Sequence, residues 1–112
     1  MSVDPRMRKY PAAYVPGGYD LETGLESVGR GWEELVRMAF EALPDGHTIV
    51  QVKEKFGSLR IYFEPNERAY EDLLDELASE SLTICEVCGS PGRLRTDRYW
   101  QRTLCDEHAF RR

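Results

Sequence analysis

The spacing of the three cysteines and one histidine near the C-terminus constrains this chain most. Two residues separate Cys85 from Cys88, two separate Cys105 from His108, and sixteen lie between the two pairs. Two intervening residues allow both members of a pair to reach one tetrahedral ion. The pattern therefore predicts a Zn²⁺ site with three thiolates and one imidazole. Because all four positions are filled by protein, the predicted site is structural rather than catalytic.

The residues around these ligands predict a treble-clef-like zinc finger over residues 85–112. Gly89 suits a tight knuckle turn after the second cysteine. Residues 93–95 and 99–104 read as a short hairpin, and a terminal helix is predicted to begin at 105–108. A histidine ligand suits zinc better than a rubredoxin-like iron. No cysteine is left over for a disulfide, which favours a reducing, cytoplasmic compartment.

Two zinc-enzyme classes lack their expected residues. A nucleobase deaminase needs a His-x-Glu pair, but His47 is followed by Thr48 and Ile49. An HNH-type nuclease needs a further histidine near the hairpin, and residues 89–104 contain none. Gly29-Arg30-Gly31 is too weak a pattern for a phosphate site. The sequence therefore predicts a protein that is not an enzyme, although its many carboxylates leave a hydrolase reading open.

The preceding residues predict an αββα body over 28–84. Apolar residues recur at helical spacing over 28–43, and β-branched and aromatic residues dominate 48–53 and 58–64. Asn66 is a suitable N-cap for a second helix over 67–80. The fold class predicted for the whole chain is therefore α+β.

Two details of the body, and one of the residues that precede it, follow from the same kind of pattern. Trp32 lies on the apolar stripe of the first helix, which predicts a packing role. Val50 and Val52 are predicted to share one buried face of the hairpin, with residues 54–57 as its connection. Residues 1–27 contain prolines and glycines without periodicity, which predicts an extended N-terminal arm without a stable helix.

Composition excludes some functions and leaves others open. The net charge of −5 argues against a whole-surface DNA binder. No apolar run is long enough to span a bilayer, so no membrane partner is expected. Basic residues nevertheless cluster beside aromatic ones in the hairpin and the zinc finger. The candidate contact residues for a nucleic acid or another partner are Lys53, Lys55, Arg60, Arg93, Arg95, Arg98, Arg102 and Trp100, interleaved with Phe56, Tyr62 and Tyr99.

Four motifs together resemble a group of small uncharacterised proteins encoded by bacteria and phages. They are Gly31-Trp32 at a helix start, VKEKFGSLRIY (52–62), CEVCGSPGRLR (85–95) and TLCDEHA (103–109). The resemblance spans residues 28–109. It implies this architecture and assigns no biochemical activity.

Two functional hypotheses follow. The first is a zinc-stabilised module that binds another protein, as an inhibitor or immunity-like factor would. The alternative is a nucleic-acid-binding zinc finger that uses the basic and aromatic side chains, since single-strand binding surfaces combine both.

Overall fold

The computed structural model describes residues 17–97 and 99–110. Within them the fold is mixed α+β, with two two-stranded antiparallel sheets and four α-helices, which confirms the predicted class. In chain order the elements are α1 (Leu21–Glu26), a 3-10 turn (Arg30–Trp32), α2 (Glu33–Glu41), β1 (Thr48–Lys55), β2 (Ser58–Glu64), α3 (Arg68–Ser81), β3 (Arg93–Arg95), β4 (Arg102–Leu104) and α4 (Asp106–Ala109).

The core of the body lies between α2, α3 and one face of the β1–β2 hairpin. The predicted apolar stripe on α2 is buried, and Trp32 just before it is fully buried. Polar groups inside this core are paired, as burial requires. The Tyr70 hydroxyl donates to the carbonyl of Ala39 at 2.6 Å, and Ser81 Oγ accepts from the amide of Leu59 at 2.9 Å. These bonds hold α3 against both α2 and the hairpin.

The hairpin differs from its prediction at both ends. A bulge between Ile49 and Gln51 shifts the alternation, so that Ile49 rather than Val50 shares the buried face with Val52. The connection is two residues rather than four, because the pairing continues to Lys55 and Ser58. Its two turn residues therefore adopt positive φ, as a type I′ turn requires.

The residues just before the body are helical rather than extended, which corrects the expectation for that part of the arm. Asp20 caps α1 by accepting from the amide of Thr23 at 2.8 Å. The buried Tyr19 donates its amide to the carbonyl of Ile49 at 2.7 Å. A local cap and one long-range bond thus order this segment. The remainder of the predicted arm, residues 1–16, lies outside the described residues.

The N-cap predicted for the second body helix is also one residue off. Asn66 is exposed, and Glu67 caps α3 instead, because its carboxylate accepts from the amides of Ala69 and Tyr70. In the described part of the chain, none of the helices combines the length and apolar character needed to cross a bilayer.

Candidate metal centre and the adjoining cleft

The four predicted metal ligands lie together. Two come from the knuckle (residues 85–89). The other two are the N-cap residue of α4 and a residue within α4, and the β3–β4 hairpin brings this helix back beside the knuckle. Their ligand atoms all fall within 4.8 Å of one another. The members of this cluster are Cys85, Cys88, Cys105 and His108.

The distances fit a tetrahedral ion. Donors at about 2.3 Å for sulfur and 2.0 Å for nitrogen would lie about 3.8 Å apart for two sulfurs and about 3.5 Å for sulfur and nitrogen. The Sγ atoms of Cys88 and Cys105 are 3.8 Å apart, and His108 Nδ1 lies 3.6 Å from Cys85 Sγ and 3.2 Å from Cys105 Sγ. The site is therefore positioned to hold a metal ion through Nδ1 and is consistent with structural zinc.

The knuckle backbone supports the thiolate form of its first cysteine. The amide of Gly89 donates to the Cys85 carbonyl at 2.9 Å, closing the turn, and Gly89 has a positive φ of 84°. Burial disfavours ionisation of Cys85. Hydrogen bonds from the backbone N–H groups of Cys105, Cys88 and Val87 outweigh this effect of burial. The pKa of the Cys85 thiol therefore lies below its ordinary value.

The body holds the knuckle through a close backbone contact. The amide of Gly31 donates to the Glu86 carbonyl at 2.9 Å. A Cβ on Gly31 would lie only 1.8 Å from the Cys85 carbonyl oxygen, and one on Gly29 only 2.1 Å from that of Glu86. Gly29 and Gly31 are therefore required for packing against the knuckle.

The indole of Trp32 adds a second bond at this junction. Its Nε1 donates to the carbonyl of Ile84, the residue before the knuckle, at 2.9 Å. Because Trp32 is fully buried in the body core, the metal ligands are tied directly to that core.

The turn of the β1–β2 hairpin makes a separate contact with the metal segment (residues 85–110). Gly57 is buried there, and its carbonyl accepts from the Thr103 hydroxyl at 2.7 Å. A Cβ on Gly57 would lie 2.4 Å from Leu94 Cδ1. The turn is consequently fixed relative to β3 and β4.

A cleft of about 590 Å³ opens between this turn and the residues that precede β4. Three of its aromatic side chains are strongly exposed. Phe56 is 67% exposed, Trp100 is 64% exposed and Tyr99 is fully exposed. The residues lining the cleft are Lys53, Glu54, Lys55, Phe56, Tyr99, Trp100 and Gln101.

Part of the predicted contact set meets at this cleft. Lys53, Lys55 and Trp100 line it, and Arg60 lies opposite Lys53 in the hairpin register. Directly opposed residues of an antiparallel pair project from the same face. The cleft therefore combines aromatic surface with cations from one face of the hairpin.

Arg95 is wrongly predicted as a contact residue. It is 4% exposed, and its guanidinium donates to the Leu104 carbonyl at 3.1 and 2.9 Å and to Asp106 at 2.9 Å. This ion pair holds the pKa of Asp106 below its ordinary value. Arg95 also lies 5.5 Å from the Phe110 ring centroid. Its role is to fasten β4 and α4 together.

The remaining predicted contacts do not line the cleft. Arg93 borders a separate depression beside Cys105. Arg102 lies 3.3 Å from the carboxylate of the buried Glu86. Burial raises the pKa of Glu86, and Arg102 opposes that rise. Arg98 lies outside the described residues.

Sequence reasoning missed the unusual turn residue of the cleft. Phe56 has φ of 54° although it is not glycine. The available signal was the strand pairing itself, since a two-residue connection would have placed Phe56 where asparagine is usual.

No protein-family model, curated protein or solved structure matches this chain.

Proposed function

We propose that this protein is a non-enzymatic, zinc-stabilised module that binds another protein at the cleft between the hairpin turn and residues 99–101. The observation that carries the proposal is the convergence of three exposed aromatic side chains on that cleft. Tyrosine and tryptophan dominate the binding energy of protein interfaces, where they fill pockets. Exposed apolar surface that contributes little to folding is typical of a binding site.

In this proposal the ion is Zn²⁺, and residues 85–112 form a treble-clef-like finger. Three thiolates and one imidazole suit zinc, and four protein donors leave no open position for substrate or water. When bound, the ion contributes folding energy that holds one wall of the cleft in place. The four motifs noted above support membership of the small bacterial and phage group. That resemblance assigns no activity, and the proposed inhibitor-like role in the cytoplasm rests on the cleft and the closed metal site instead.

The binding claim is tested by capture from the host cell on immobilised protein. Wild type is compared with Trp100→Ala, which removes a cleft side chain, and with Arg93→Ala, which removes an exposed side chain elsewhere. We expect a stoichiometric protein on wild type and Arg93→Ala that is absent on Trp100→Ala. If no captured protein depends on Trp100, the proposal is wrong.

The metal claim is tested separately. Elemental analysis of the purified protein should find one zinc per chain, and a chelator should lower the melting temperature strongly. Protein that contains no metal, or that melts identically with and without chelator, would refute the structural-zinc part of the proposal.

Single-stranded nucleic acid is the second candidate. It is favoured because Lys53 and Lys55 border the same cleft as Trp100, which gives cations beside stacking surfaces. Burial of Arg95 and pairing of Arg102 leave a small set of free cations there. With three phosphate contacts, the affinity for a single strand should fall with a log–log salt slope of about −2. Absent or salt-insensitive binding of a short oligothymidine excludes this candidate.

A further inference from the structure

We infer that the partner segment entering the cleft is acidic, with aspartate or glutamate residues flanking one large apolar side chain. This inference rests on the proposed function and specifies the chemistry of its partner. It is argued from the charge at the cleft, the conformation of its turn and the surfaces available to fill it.

The cleft has uncompensated positive charge. Neither Lys53 nor Lys55 forms an ion pair with any residue in 17–97 or 99–110. The carboxylate of Glu54 between them accepts the amide of Gly57 at 2.6 Å. Arg60 donates through Nε to the neutral hydroxyl of Ser58 at 2.7 Å. Two lysines and one carboxylate therefore line the cleft, and Arg60 adds a third cation on the same face of the hairpin, in a chain whose net charge is −5.

The apolar anchor is inferred from Phe56. Its φ of 54° is unfavourable for a residue with a bulky side chain. The ring is 67% exposed, so folding recovers little of that cost through burial. A nearby contact, with Lys55 Nζ 5.7 Å from the ring centroid, adds only a weak cation–π attraction at an exposed site. An aromatic residue at this position gains more by contacting a partner than by stabilising the turn.

The cleft has room for such a segment. Its volume of about 590 Å³ lies within the usual range for sites that enclose a ligand. Phe56 and Trp100 provide apolar walls, while Lys53 and Lys55 lie at the same opening. An apolar side chain between two acidic residues would place each group against its complement.

The acidic helix α3 of a second copy is a weaker fit. The outward face of α3 carries exposed carboxylates, but none of the large exposed apolar side chains among the described residues lies on that helix. A single strand of nucleic acid carries a phosphate at every nucleotide, which calls for more cations than this cleft offers. A short acidic peptide matches three cations better.

The inference is tested by selecting a random displayed peptide library on the full zinc-loaded chain. We expect wild type and the control Arg93→Gln to enrich acidic peptides with one aromatic or long aliphatic residue. A synthetic copy of an enriched peptide should bind at least tenfold more weakly to the double variant Lys53→Gln/Lys55→Gln and to Phe56→Asn. Melting curves provide the folding control, because asparagine suits the Phe56 turn position and should not lower stability.

Any other result would refute the inference, and each one points to a different explanation. Enrichment of neutral or basic peptides, enrichment unaffected by the lysine changes, or no enrichment refutes the acidic segment. Self-association lost in the lysine variant would assign the cleft to a second copy, and displacement of peptide by oligothymidine would assign it to nucleic acid. If a host protein is lost with Trp100→Ala but kept with the lysine changes, the proposed function stands and this inference fails. If both variants keep the host protein, the proposed function and this inference both fail.

Discussion

Gly31→Ala should be among the most damaging single-methyl additions in this protein. The new Cβ would lie 1.8 Å from the Cys85 carbonyl oxygen and 2.7 Å from both the Glu86 carbonyl carbon and the Gly89 amide nitrogen. All three are backbone atoms, which cannot move aside as the end of a flexible side chain can. To reach ordinary contact at 3.4 Å, the 3-10 turn that contains Gly31 and the knuckle must separate by about 1.6 Å.

The cost follows from what this separation breaks. The bond from the Gly31 amide to Glu86 contributes about 1 kcal/mol, and forced overpacking typically costs about 1–3 kcal/mol. The bond from the Trp32 indole to Ile84 is strained at the same time, and a buried donor left unpaired costs about 1–3 kcal/mol. Because one displacement causes all three effects, they are not fully additive. We therefore expect a total loss of about 3–5 kcal/mol, in the lower part of their summed range, against a typical stability of about 5–15 kcal/mol.

Urea unfolding and thermal melting of the zinc-loaded protein measure this loss. The melting temperature should fall by about 10–20 °C, and a zinc chelator should extract the metal faster. Arg30→Ala is the matched control, because Arg30 is adjacent and exposed, and it should change stability by less than about 0.5 kcal/mol. A Gly31→Ala protein that melts within about 2 °C of wild type would refute the close contact between turn and knuckle.

Three further predictions concern one candidate metal ligand and two buried side chains. Cys88→Ser should abolish stoichiometric metal retention and remove a large part of a binding energy on the order of 10 kcal/mol, as read by elemental analysis and melting. Arg95→Ala leaves the Leu104 carbonyl without its donor and should cost about 2–4 kcal/mol, whereas Arg93→Ala should cost less than about 0.5 kcal/mol in the same unfolding assay. Burial raises the pKa of Tyr70 from 10.0 to about 12. The folded state keeps a proton that the unfolded state loses, so stability should fall between about pH 10 and pH 12, and Tyr70→Phe should flatten that decline in urea unfolding.

The features that were predictable from sequence are those set by local spacing. Trp32 and the stripe that follows it repeat at helical intervals, and that periodicity determines which face is buried. The pairs Cys85–Cys88 and Cys105–His108 are each short enough for one ion to join them. Such patterns carry their geometry within a few residues.

The features that sequence missed depend on distant partners. Alternation predicted Val50 on the buried face, but a bulge in the strand pairing moved Ile49 there. Nothing in the residues next to Arg95 indicates that it is buried. Its burial depends on the Leu104 carbonyl and Asp106, which accept from its guanidinium and lie nine and eleven residues away in sequence. α1 depends partly on the bond from Tyr19 to Ile49, and no pattern in its own residues encodes that contact.

The position of the cleft across two parts of the chain has a thermodynamic consequence. One wall belongs to the hairpin, and the other precedes β4, in the stretch of chain between the two pairs of candidate metal ligands. Under the proposed function, a partner that requires both walls would bind the metal-loaded form more tightly than the metal-free form. By reciprocity, the bound partner must raise the affinity for the metal by the same factor. Metal occupancy and partner occupancy of this protein are then two readings of a single coupled equilibrium.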